Sequence, residues 1–79
     1  MEEQAKKIAE LLRVLANEHR LLIVCALLKG RLTVGDIHQY TPNITASALS
    51  QHLNQMKMAG ILSSEKQAGT TCLLFKRDE

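Results

Sequence analysis

The stretch Asn43-Ile-Thr-Ala-Ser-Ala-Leu-Ser-Gln-His-Leu-Asn-Gln-Met-Lys57 decides the fold of this 79-residue chain. Thr45 is placed to cap a helix, its side-chain oxygen taking a free N–H of the first turn. After it, Leu49, Leu53 and Met56 recur at helical spacing and make one apolar stripe. The opposite side carries Ala46, Ser47, Ser50, Gln51 and Asn54, short or amide side chains that donate and accept hydrogen bonds. No Glu or Asp occurs from Ile37 to Ser64. A neutral, polar, anion-free helical face suits the floor of the DNA major groove, where Gln and Asn pair with adenine and Ser with several base edges.

The flanks of this helix read as punctuation. Thr41-Pro42-Asn43 breaks the chain before it, because the residue preceding proline resists the helical region and Asn tolerates a positive φ. Gly60 closes it, near residue 58, as a left-handed C-terminal residue. Upstream, Leu32-Thr-Val-Gly-Asp36 opens a short helix over 34–40. Thr33 and Asp36 stand at capping-box spacing, with Val34 and Ile37 expected to face inward. Downstream the period changes. Residues 61–66 and 70–76 read as two short extended runs joined by Gln67-Ala68-Gly69, a hairpin turn.

The first third is helical. In residues 4–16, Ile8, Leu11, Leu12 and Leu15 mark a broad apolar stripe, and Val14 lies off it. An apolar surface wider than one core needs is consistent with a partner helix. Asn17 then caps a second helix over 18–29, with Glu18 in its first turn where a carboxylate suits the helix dipole. Leu21 to Leu28 is apolar nearly all round, so this helix is expected to be central and buried, with Cys25 inside it as a small hydrophobe. The class that results is mainly α with a two-stranded β-hairpin, in the order α-α-α-α-β-β. That is the layout of a winged helix-turn-helix, a single domain over 1–79.

Composition narrows the partners. There is no Trp, one Tyr and one Phe, so base stacking on aromatic platforms has almost nothing to work with and RNA is not expected. Net charge is +2, a mild bias that allows phosphate contact. Its distribution is more informative: Glu2, Glu3, Glu10, Glu18, Asp78 and Glu79 gather toward the ends, while Lys29, Arg31, Lys57 and Lys66 face only Asp36 and Glu65 in the middle. Met1 is followed by Glu2-Glu3 instead of a basic leader, and the densest apolar run is too short to span a bilayer. Cys25 and Cys72 make no disulfide framework. The expectation is a cytoplasmic, reduced protein with no membrane partner.

His19, His38 and His52 share no His-x-x-x-His or Cys-x-x-Cys spacing, so no metal site is expected. His19 falls in the first turn of the second helix, His38 on the exposed side of the short helix and His52 at the edge of the apolar stripe. No nucleophile–base–acid set and no glycine-rich phosphate loop is present. The chain reads as a non-enzyme without a cofactor.

Three segments together resemble the ArsR-type repressors. Leu15-Ala16-Asn17-Glu18-His19-Arg20-Leu21 resembles their "LA-(N/D)-x-x-R-L" segment, and Leu32-Thr33-Val34-Gly35-Asp36-Ile37 their helix-opening segment. Ser47-Ala48-Leu49-Ser50-Gln51-His52-Leu53 followed by Met58-Ala59-Gly60-Ile61-Leu62 resembles their recognition helix and its exit. The likeness covers about residues 11–75 and looks nearest to the non-metal, thiol-responsive members, which share the Ser-Ala-Leu-Ser-Gln-His-Leu string and a Cys like Cys25.

The resemblance implies a transcriptional repressor, a homodimer on a double-stranded DNA operator, with residues 45–58 in the major groove and hairpin 62–76 as wing. Ala46, Ser47, Ser50 and Gln51 would meet bases. Thr45, Asn54, Lys57, Lys66, Gln67 and Thr70 would meet the backbone. Cys25 and Cys72, the latter on a strand with either face open to it, are the candidate thiol sensor, although the thiol-responsive members place their second cysteine in the final helix. The chain departs from that pattern at Thr41-Pro42-Asn43, in a turn that usually carries a Gly and one residue fewer. It also has Thr33 and Gly35 where metal-sensing members place cysteines. The pattern's final helix has no counterpart in this sequence, so dimerisation is expected through helix 4–16. From a different class, the same fold could serve as a scaffold for protein–protein docking without DNA.

Overall fold

The computed structural model describes residues 1–76, so Asp78 and Glu79 of the acidic C-terminal end lie outside the described residues. The elements are α1 (Glu2–Leu15), α2 (Glu18–Leu27), β1 (Leu32–Thr33), α3 (Val34–Tyr40), α4 (Ala46–Met58), β2 (Leu62–Gln67) and β3 (Thr70–Phe75). The winged helix-turn-helix is thus present, with one strand more than the hairpin expected from sequence.

Side-chain caps set the helix starts. Asn17 is extended, and its Oδ1 accepts from the N–H groups of His19 at 2.9 Å and Arg20 at 3.2 Å. Thr33 Oγ1 accepts from Asp36 N–H, and Thr45 Oγ1 from Ala48 N–H, both at 3.1 Å. Each satisfies first-turn donors that have no partner within the helix. At the other end of α4, Gly60 takes φ 80°. Its N–H donates to Lys57 O and that of Ile61 to Met56 O, both at 3.0 Å. This pair of hydrogen bonds is a Schellman closure, and it turns the chain sharply into β2.

The core is one cluster of Ile23, Leu27, Ile37, Leu49, Leu53, Met56, Leu62 and Leu73. It draws on α2, α3, α4 and the sheet. The sheet order is β1-β3-β2, antiparallel throughout. Leu32 pairs with Leu73 and Thr33 with Cys72. The Leu32–Thr33 segment, expected only to open α3, also closes the free edge of β3. The hairpin turn is tighter than expected: Gln67 pairs with Thr70, leaving Ala68 (φ 52°) and Gly69 (φ 81°) as a two-residue loop. Two consecutive positive φ values match the strands' right-handed twist.

Several expectations fail. α1 buries no residue, and Ile8, Leu11 and Leu12 of its stripe are exposed. Val14, placed off the stripe, packs against the core together with Leu15. α2 is one-sided: Ile23, Ala26 and Leu27 are buried, while Leu21, Leu22, Cys25 and Leu28 are exposed. Val34 is exposed, and Asn43 has no positive φ. Thr41, by contrast, is only 1% exposed, and its hydroxyl donates to Ile37 O. The break before Pro42 is therefore tucked into the core. No helix of the described residues is long and apolar enough to cross a membrane.

Candidate nucleic-acid interface

α4 presents two faces of opposite character. Leu49, Leu53 and Met56 are buried and fix the helix to the core. Thr45, Ala46, Ser47, Ser50, Gln51, Asn54 and Lys57 are all exposed. The four residues expected to meet bases and the three expected at flanking phosphates thus lie on accessible surface along one helix. The exposed face carries no carboxylate.

The turn before α4 is held from α3. His38 Nε2 lies 2.8 Å from the carbonyl oxygen of Ile44, so this ring is half-buried and bonded across the turn instead of standing free in solvent. That bond and buried Thr41 support the Pro42-Asn43 corner, which sets how α4 leaves α3.

A shallow groove of ≈ 470 Å³ runs between α4 and the sheet. Ser50, Gln51, Asn54 and Lys57 line one side, and Val34, Thr71 and Leu73 contribute from α3 and β3. Thr71 pairs with Lys66, and alternation places both on the same sheet face as Leu73 and Leu62, the face against α4. Gln67 and Thr70 point to the opposite face at the wing tip, and all four of these wing residues are exposed. Thr71 and Val34 were not identified from sequence; strand register alone places Thr71 beside the α4 groove.

Charge is sorted by the same register. Glu65 pairs with Cys72 and so lies on the face away from α4, where it bonds to Arg31 in an exposed ion pair. The pair joins the residue preceding β1 to β2. An exposed pair of this kind adds little stability. It does, however, neutralise the hairpin's one acid and leaves Lys66 as the wing's cation on the groove side.

At the far flank of α4, Arg20 of α2 joins three elements. Its Nε–H donates to His52 Nδ1 at 3.0 Å, Nη1–H donates to Val14 O at 3.0 Å, and Nη2–H donates to Gln55 Oε1. The His19 and His52 rings lie 5.9 Å apart, tilted by 41°. Burial, then the Arg20 charge, then His19, hold the His52 pKa below 6.5. His19 Nδ1 is buried without a hydrogen-bond partner among the described residues. Sequence reading missed this cluster, because Arg20 stands 32 residues from His52 and 35 from Gln55.

Cys25, expected inside α2, stands at the surface, and Cys72 is the buried thiol. Cys25 is exposed on α2, beside a largely apolar depression of ≈ 500 Å³ lined by Ala16, Asn17, Glu18, Leu21 and Leu22. Cys72 is 9% exposed on the central strand, and both thiols are free. No cluster of three or more His, Cys, Asp or Glu able to hold a metal is found among the described residues.

Comparison with known proteins follows this geometry. Residues 17–64 match the model of the bacterial regulatory protein arsR family. The chain is 40% identical over 70 residues to the transcriptional activator HlyU of Vibrio cholerae, covering 89% of this chain and 64% of that protein. It is 35% identical over 66 residues to the biofilm growth-associated repressor of Xylella fastidiosa, covering 84% and 57% respectively. This chain therefore spans less than two-thirds of the length of either relative. Among solved structures, HlyU from Vibrio cholerae superposes with a TM-score of 0.86 at 36% identity, covering 98% of this chain and 83% of that one. The transcriptional repressor BigR from Xylella fastidiosa superposes with a TM-score of 0.84 at 30% identity, covering 98% and 78%.

Proposed function

The chain belongs to the arsR family of bacterial regulatory proteins, and from that premise we propose that it is a sequence-specific, duplex-DNA-binding transcriptional regulator that works as a repressor. The observation that carries this reading is the exposed, carboxylate-free face of α4, flanked by a wing whose one acid is already paired. α4 lies in the major groove. Ala46, Ser47, Ser50 and Gln51 meet base edges, the amide of Gln51 being suited to a two-bond contact with adenine. Thr45, Asn54 and Lys57 meet phosphates at the groove's edges, and Lys66, Gln67 and Thr70 meet the backbone beside it. Thr71, across the groove from Gln51, joins the backbone set.

Two copies bind as a homodimer. The exposed Ile8, Leu11 and Leu12 of α1 supply the apolar surface for the pairing, and Leu21 and Leu22 of α2 are exposed as well. A dimer places two α4 helices on successive turns of the duplex and doubles the net charge offered to phosphate. Exposed Cys25, beside Leu21 and Leu22, is the thiol an oxidant reaches first; Cys72 is shielded. A docking module without DNA would have no need of an uncharged α4 face. No observation on the molecule favours that second reading.

Anisotropy titrations at two salt concentrations test the proposal, using a duplex selected from a random library and its scrambled counterpart. Gln51→Ala is expected to cost about 1–3 kcal/mol on the selected duplex and little on the scrambled one. Lys66→Ala is expected to weaken both equally and lower the salt slope by about 1. Equal losses for both variants on both duplexes would refute the division of roles. Absence of binding by the unaltered protein at low salt would refute the function.

A further inference from the structure

The corner between α2 and α4 holds a polar cluster that points away from the groove. Arginine has donors only and stays charged. The 3.0 Å contact from Arg20 Nε therefore requires a lone pair on His52 Nδ1, which makes His52 the neutral Nε2–H tautomer. The other donors of the same guanidinium hold the carbonyl of Val14, in the last turn of α1, and Gln55. Val14 O is one of the carbonyls a helix end leaves without an internal partner. His52 and Gln55 stand one turn apart on α4, and Gln55 is one turn from Gln51. One side chain thus fixes the base-reading helix to the α1–α2 corner.

We propose that Arg20 is a positioning residue of α4, setting the angle at which Ser50 and Gln51 meet bases, and that it acts only while His52 is neutral. The proposal rests on the DNA-binding reading above. A proton on Nδ1 would set donor against donor and a second positive charge beside the guanidinium. The charged and titratable groups that face His52 are Arg20 and His19, both from α2; Gln55 and the Val14 carbonyl are the neutral polar neighbours of the guanidinium. Burial, Arg20 and His19 all push in the same direction, toward the neutral ring. The contact is complete above the ordinary imidazole pKa of 6.5 and is lost as the pH falls through the lowered pKa of the folded protein's His52. The sign is diagnostic. An added positive charge would by itself strengthen attraction to phosphate, whereas loss of the clamp weakens binding to the selected duplex.

The test follows affinity for the selected duplex at constant ionic strength from about pH 8 down through the His52 ring titration, which NMR of the unbound protein follows over the same range. The unaltered protein is expected to lose about tenfold in affinity on acidification, one hydrogen-bonded contact to a charged group being worth about that factor. His52→Asn, whose side-chain oxygen can accept where Nδ1 does and cannot titrate, is expected to bind normally with a flat profile. Arg20→Lys, which loses the fork, is expected to bind about tenfold more weakly across the range. Parallel pH profiles for the unaltered protein and His52→Asn would overturn the proposal, as would normal binding by a folded Arg20→Lys. If Arg20→Lys does not fold, the His52→Asn profile decides. If the unaltered protein binds no duplex, the proposed function fails separately, and the NMR arm decides: amides of Ser50 to Gln55 moving in step with the His52 ring support the clamp, and unmoved amides refute it.

Discussion

α1 and α4 are near twins in length, 14 and 13 residues, and both carry an apolar stripe, yet the fold treats them oppositely. α4 buries Leu49, Leu53 and Met56, and exposes its polar face. α1 buries nothing, and Leu12 is 62% exposed. The difference teaches that an amphipathic pattern says which face wants cover but not who supplies it. For α4 the cover is this chain's own core. For α1 the chain supplies cover only to Val14 and Leu15, at its C-terminal end. A helix held at one end by two half-buried side chains and an arginine on the Val14 carbonyl has little of its own core.

The contrast can be broken from either side. Leu49 is wholly buried in the shared cluster, so Leu49→Ala is expected to cost about 2–5 kcal/mol of unfolding free energy in denaturant titrations. A loss no larger than that of a surface substitution would abolish the distinction between the helices. Thr45→Ala removes the α4 cap and is expected to cost about 1 kcal/mol, with faster hydrogen exchange at Ala48 and its neighbours. Leu12→Ser is expected to change unfolding free energy at low protein concentration by no more than about 0.5 kcal/mol. The same variant is expected to lower self-association in sedimentation. Unchanged association would remove α1 from the dimer surface.

Much of the candidate site was legible before any coordinates. The exposed polar face of α4, the Thr45 cap, the Gly60 exit and the β2–β3 hairpin follow from spacing and from the special conformations that Gly and Thr supply. What misled was the assumption that every apolar residue of α2 seeks the interior. Leu21, Leu22 and Cys25 differ in no local respect from Ile23 and Ala26. Only the position of α3 and the sheet decides which side of the helix is covered. β1 escaped for a related reason: two residues are too short to show a period, and they become a strand because the free edge of β3 lies beside them. Thr71 reaches the groove through its pairing with Lys66, a register that no local pattern specifies. Arg20 stood in a recognisable motif, but its three acceptors come from two other helices.

The sequence by itself determined whatever depends on neighbours within one helical turn or one hairpin: where helices start and stop, which stripe of each is apolar, and that α4 offers a neutral hydrogen-bonding face. These are consequences of capping, φ preference and side-chain period, all set within a few residues. Tertiary structure alone decided which stripes are covered, which strand completes the sheet, and that Arg20 ties α4 to α1 through a neutral His52. Those outcomes depend on groups brought together across 30 or more residues, where burial and charge act through space and leave no local period to read.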